Sequence, residues 1–144
     1  MSRRLLPFVI CALVGCGGNP ASPDPNGLTG AFTGAVHDQA SGIGTIQANL
    51  TEAYGTLSGT WRATGGRFDP ESYSVNGSIF QDNTVTFTVC PGICYGDGAG
   101  GGSSGGGCLY LMKGTVHQGS IAATYTTFGQ CTVARAGSVT LARQ

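Results

Sequence analysis

Few side chains in this chain could do acid–base or nucleophilic chemistry. Its 144 residues hold two histidines, His37 and His117, and two glutamates, Glu52 and Glu71. His37 is followed by Asp38, a neighbour that could orient an imidazole as a base, but a hydrolase also needs a nucleophile held against that base. No His-Glu-x-x-His pair supplies metal ligands. Glu52 and Glu71 fall in different connections, expected at opposite ends of the domain, which is unsuited to a carboxylate pair acting on one bond. Histidine beside aspartate then reads as solvated turn chemistry, and the chain is not expected to be an enzyme.

Glycine supplies a second candidate pattern. Gly96 to Gly107 contains eight glycines in twelve positions, and Gly96-x-Gly98-x-x-Gly101 matches a dinucleotide fingerprint by letter. That fingerprint works only where a strand turns into a helix, and no alternation of strands with helices surrounds it. Asp97 alone does not make the repeated glycine–aspartate calcium site. The segment reads as a mobile loop, and no cofactor is expected.

The N-terminus carries a different kind of information. Arg3 and Arg4 precede an apolar run from Leu5 to Val14, the charged and apolar parts of an export signal. A transmembrane helix needs ~20 apolar residues, and Pro7 interrupts this shorter run, so residues 1–15 read as transient. Leu13-Val14-Gly15-Cys16 resembles the lipobox of bacterial lipoproteins, over the signal region only. The resemblance implies that the Cys16 thiol takes up a diacylglycerol, that a peptidase cuts before it, and that the new amino group is acylated. Each buried methylene contributes ~0.8 kcal/mol, so two or three chains hold a protein on a membrane where one would not. In Gram-negative lipoproteins an aspartate after the lipidated cysteine signals retention in the inner membrane. Gly17 stands there, which favours the outer membrane.

Loss of Arg3 and Arg4 leaves five basic against seven acidic side chains, a net charge of −2. Such a balance gives no footprint for nucleic acid and no basic cluster to reinforce membrane contact. Residues 16–27 are small, polar and proline-rich, and read as a tether that holds the domain off the membrane. The domain is expected over 28–144, long enough for one modest core.

Six cysteines are present, of which Cys11 leaves with the signal and Cys16 is the lipid attachment site. Cys90, Cys94, Cys108 and Cys131 remain, and in an exported chain an even set implies two disulfides. Three connectivities are open. Strand pairing about Gln118 sets Cys108 opposite residue 128, near Cys131, which favours Cys108–Cys131 with Cys90–Cys94; Cys90–Cys108 is nearly as easy. The competing metal site would need His117, whose turn belongs at the other end.

These residues must be positioned by strands, because the apolar period from Leu28 onward is two. Eight alternating stretches follow: Leu28 to Val36, Thr45 to Thr51, Leu57 to Arg62, Tyr73 to Ile79, Val85 to Val89, Tyr110 to Val116, Ile121 to Tyr125, and Val139 to Leu141. Tight turns are predicted at Glu52 to Gly55, Gln81 to Asn83 and His117 to Gly119, with longer connections at the other end. The pattern predicts an all-β fold, a single eight-stranded antiparallel meander barrel, with a β-sandwich as the alternative. Glycines at Gly30, Gly34, Gly59, Gly77 and Gly114 share the inward phase and suit the bends that closure demands. Gly59-Thr60-Trp61 resembles a phrase of the lipocalin and avidin group of small barrels. It lies in the third strand and not the first, so the resemblance extends to architecture and carries no binding residue.

Phe32, Trp61, Tyr73, Phe87, Tyr110 and Tyr125 fall on the inward phase, as a packed core or as the lining of a lumen. Two functions follow. The first is a non-catalytic envelope module whose long distal loops contact another macromolecule. The second is a carrier of a small apolar ligand held among those aromatic residues.

Overall fold

A computed structural model describes residues 26–64, 72–92, 94–95, 102–103 and 107–144. Residues 1–25, with Cys16 and most of the expected tether, lie outside the described residues, as do Glu71 and most of the glycine-rich stretch. In chain order the strands are β1 (Gly30–Asp38), β2 (Gly42–Ala53), β3 (Thr56–Thr64), β4 (Ser72–Ile79) and β5 (Thr84–Pro91). There follow β6 (Cys94–Tyr95), β7 (Gly102–Ser103), β8 (Cys108–His117), β9 (Ser120–Gly129) and β10 (Ala136–Arg143). Eight of them form a closed antiparallel barrel in meander order, with β1 pairing β10; β6 and β7 pair only with each other.

Local chemistry sets the tight turns. Tyr54 and Gly55 have φ of 52° and 80°, and Gln118 and Gly119 have φ of 47° and 73°. Two left-handed central residues give the mirror-image turn whose twist matches that of the flanking strands. Between β4 and β5, Asn83 N–H donates to the Phe80 carbonyl at 3.0 Å and Phe80 N–H to the Thr84 carbonyl at 2.8 Å. Asn83 takes the left-handed position there, with φ of 62°, which asparagine tolerates better than most residues. Because the β8–β9 turn is centred between Gln118 and Gly119, Cys108 lies opposite Gly129, one residue from the expected partner.

All three turns lie at the end where β1 begins and β10 finishes, here called proximal. Two expectations fail at strand ends. Glu52 belongs to β2 and not to a connection, and it is buried on the inward phase. His37 and Asp38 close β1, paired with Ile43 and Gly42, so they are not a loop. Both corrections have one cause: the strands run on past their last apolar residue, because ladder partners continue across polar positions.

Leu28 precedes β1, is fully buried, and belongs to the same core cluster as Phe32, Ile46, Leu50 and Leu57. The Asn26 amide donates to Glu52 Oε1 at 2.7 Å, and Glu52 N–H donates to Thr29 Oγ1 at 3.1 Å, so residues 26–29 are tied across that mouth. Outward positions are polar, as Thr33, Gln47, Thr60 and Thr140 illustrate. Apolar inside and polar outside is the reverse of a membrane-spanning barrel.

The inward glycines do more than bend strands. A Cβ added to Gly34 would collide with the Thr140 carbonyl of β10, and one on Gly114 with the Ala122 carbonyl of β9. Close backbone approach at these points lets the eight strands coil into a small barrel. Gly34→Ala should therefore cost on the order of 1–3 kcal/mol, lowering Tm by roughly 4–12 °C. Thr33→Ala, on the exposed face of the same strand, should leave Tm nearly unchanged. Thermal melts followed by circular dichroism check both.

Candidate functional site

Buried polar groups stand at both mouths of the lumen, Glu52 at the proximal one and a larger hydrogen-bonded set at the distal one. Asp38 ends β1 with its side chain turned inward, and only 5% of the residue is exposed. Tyr125 of β9 donates its hydroxyl to Asp38 Oδ2 at 2.6 Å. Asp38 Oδ1 accepts from Ala40 N–H at 2.9 Å, Ser41 N–H at 2.8 Å and Ser41 Oγ at 2.6 Å. One carboxylate thus folds the β1–β2 turn over itself and fastens it to a strand 87 positions away.

That hydrogen bonding also fixes the charge. Burial pushes the Asp38 carboxyl up, but donation from Ser41, Tyr125 and Ala40 outweighs it and holds the pKa at about 2, against an ordinary 3.8. Burial raises the Tyr125 hydroxyl, and its bond to Asp38 raises it further. The pair is therefore a carboxylate accepting from a neutral phenol, with no proton to give or take near neutral pH. Buried, charge-assisted bonds of this kind fix geometry.

The aromatic residues continue from this clamp into the barrel. The Tyr110 ring meets Tyr125 edge-on at 5.9 Å and Tyr73 edge-on at 6.1 Å, and Trp61 packs against Phe87 at 6.4 Å. Phe32, Trp61, Phe87 and Tyr125 are at most 2% exposed, while Tyr73 and Tyr110, at 7% each, reach toward the mouth. The Trp61 indole N–H is buried without a hydrogen-bond acceptor among the described residues. Tilted and edge-on contacts at these distances are favourable aromatic pairs and belong to the barrel's core.

Two disulfides pin the distal connections: Cys90–Cys94 and Cys108–Cys131. The first lies on the outer wall, because Cys90 is on the outward phase of β5 yet fully buried. The Cys94 sulfur lies against the Ser74 and Thr88 carbonyls, and the Ser74 hydroxyl donates to the Gly92 carbonyl. The chain after β5 thus folds back across β4 and β5, and its β6–β7 ladder pairs Cys94 with Ser103. A stretch expected to be a loop throughout therefore contains a short ladder. Cys108–Cys131 joins the start of β8 to the β9–β10 connection.

Other sequence patterns gain no support as catalytic sites. Gly101 to Gly105 also spells Gly-x-Ser-x-Gly, but most of that stretch lies outside the described residues. No three His, Cys, Asp or Glu side chains gather as metal ligands among the described residues. His37 sits at the distal end of β1 and His117 at the proximal end of β8, so the barrel keeps them apart. No protein-family model matches the chain, and neither does any curated protein.

The clamp makes a prediction with a definite sign. A carboxylate whose folded pKa is depressed stabilises above its unfolded pKa, near 3.8, and loses that contribution as pH falls through about 2. Asp38→Asn should lower stability by about 2 kcal/mol between pH 5 and 7. The gap between wild type and variant should narrow progressively below pH 4. Urea unfolding at pH 7, 4 and 2 measures it, and a gap independent of pH would contradict the assignment.

Proposed function

We propose that this chain is a lipid-anchored, non-catalytic protein of the bacterial envelope that presents the distal end of its barrel to another macromolecule. The observation that carries this reading is the contrast between the two ends. Among the described residues of the distal end, two disulfides and the Asp38 clamp fasten the chain, and the aliphatic side chains of Ile43 at the start of β2 (67%) and Val133 in the β9–β10 connection (59%) are exposed. A rigid rim bearing apolar side chains is suited to recognition, since little ordering entropy remains to be lost on binding.

Support for the anchor comes from Leu13-Val14-Gly15-Cys16 and from the place where the chain enters the barrel. Asn26 lies at the proximal end, so a lipid on Cys16 would leave the distal rim facing away from the bilayer. Gly17 favours the outer membrane. The carrier reading is weakened by the ring contacts that occupy the lumen.

Three readouts on protein made in cells test the proposal. Labelled palmitate should enter the wild-type chain and not Cys16→Ala, which should retain its signal segment. Native mass spectrometry of the detergent-extracted protein should give the acylated polypeptide mass alone; a stoichiometric apolar passenger would favour the carrier. A photocrosslinking residue at position 133 should yield a discrete protein adduct that the same residue at position 113, on the exposed wall, does not. Equal adducts at both positions would remove the distal rim from the proposal.

A further inference from the structure

The proximal end exposes two aromatic side chains to solvent. Tyr54 is 85% exposed at the tip of the β2–β3 turn, and Phe80 is 52% exposed at the start of the β4–β5 turn. At its φ of 52°, Tyr54 occupies a place that glycine, asparagine or aspartate fills with less strain. The two turns are neighbours, joined by a hydrogen bond from Ile79 N–H to the Gly55 carbonyl at 2.7 Å. A depression of about 500 Å³ between them is bordered by Tyr54, Phe80, Glu52 and Asn26. The aromatic pair therefore flanks the place where the N-terminal segment enters the barrel.

We propose that, in place of the stand-off expected from the tether, this proximal face rests on the bilayer, with Tyr54 and Phe80 seated at the lipid–water interface. The inference depends on lipidation of Cys16 as set out above. Cys16 precedes Asn26 by ten positions, and a span of that length cannot exceed ~35 Å. A lipid on Cys16 would thus hold this face near the membrane at an effective concentration on the order of millimolar, where weak adsorption becomes productive. Tyrosine and phenylalanine suit the headgroup boundary because they bring apolar area at little entropic cost, and tyrosine keeps its hydroxyl in water.

Charge at this end neither drives nor blocks the contact. Asp82, His117 and Arg143 are exposed there without forming a cluster of one sign, and Asp82 is engaged by Thr84 N–H at 3.0 Å and Thr84 Oγ1 at 2.6 Å. The matching surface is a zwitterionic lipid headgroup layer, and adsorption should depend little on salt. Since the barrel wall is polar, contact is confined to the turn tips.

The test places an environment-sensitive fluorophore on Tyr54→Cys or, as a distal control, on Ile43→Cys, in the full mature chain reconstituted into phosphatidylcholine–phosphatidylethanolamine vesicles. Mass spectrometry of the Cys16 peptide reads the anchor independently. With Cys16 acylated, the probe at position 54 should shift to the blue and be quenched at least twofold more by lipid-borne nitroxide than the probe at 43. Phe80→Ser should reduce that quenching. An acylated Cys16 with both probes equally in water would overturn the membrane-facing assignment and leave the anchor standing. A Cys16 peptide without acyl mass would overturn both.

Discussion

Pairing of β1 with β10 is the constraint on which the other features depend. The ladder runs from Phe32 opposite Arg143 to Asp38 opposite Gly137 and turns an eight-stranded meander into a ring without edges. A closed ring of this size has an interior just wide enough for side chains, so each strand must give its inward positions to one shared core. It also forces backbones together where Gly34 meets Thr140 and Gly137 meets the His37 carbonyl, positions that leave no room for a Cβ.

Closure also divides the molecule into two ends with different chemistry. Chain entry, chain exit and the three tight turns share the proximal end, where Leu28 is buried in the core and the aromatic side chains of Tyr54 and Phe80 are exposed. Among the described residues of the distal end, covalent and charge-assisted bonds hold the chain, and Tyr73, Tyr110, Tyr125 and Asp38 bring polar groups to that mouth as Glu52 does to the other.

Much of this was legible in the residues. Alternation such as Val85, Phe87, Val89 against Thr84, Thr86, Thr88 specifies both a strand and its buried face. Gln118-Gly119 fixed a hairpin, and with it the proximity of Cys108 to Cys131. What escaped depends on distance along the chain or on polar residues taking apolar places. Asp38 and Tyr125 are 87 positions apart, so their bond left no local signal, and aspartate in a turn ordinarily faces water. Glu52 looked like turn chemistry because carboxylates seldom point into a barrel, yet its position continues the even-numbered inward phase of Ile46, Ala48 and Leu50. That phase was the clue. The β6–β7 ladder could not be read because glycine-rich sequence carries no alternation to reveal it.

Hydrogen exchange resolved by NMR tests closure most directly. In a closed barrel, the amides of β1 and β10 that bond across their shared ladder exchange only through opening of the whole domain, as slowly as those of β4 and β5. An open sheet or a sandwich would leave β1 or β10 as an edge, with alternate amides exchanging orders of magnitude faster than the interior strands. Uniform protection across the β1–β10 ladder is the predicted result, and a fast-exchanging row along either strand would contradict it.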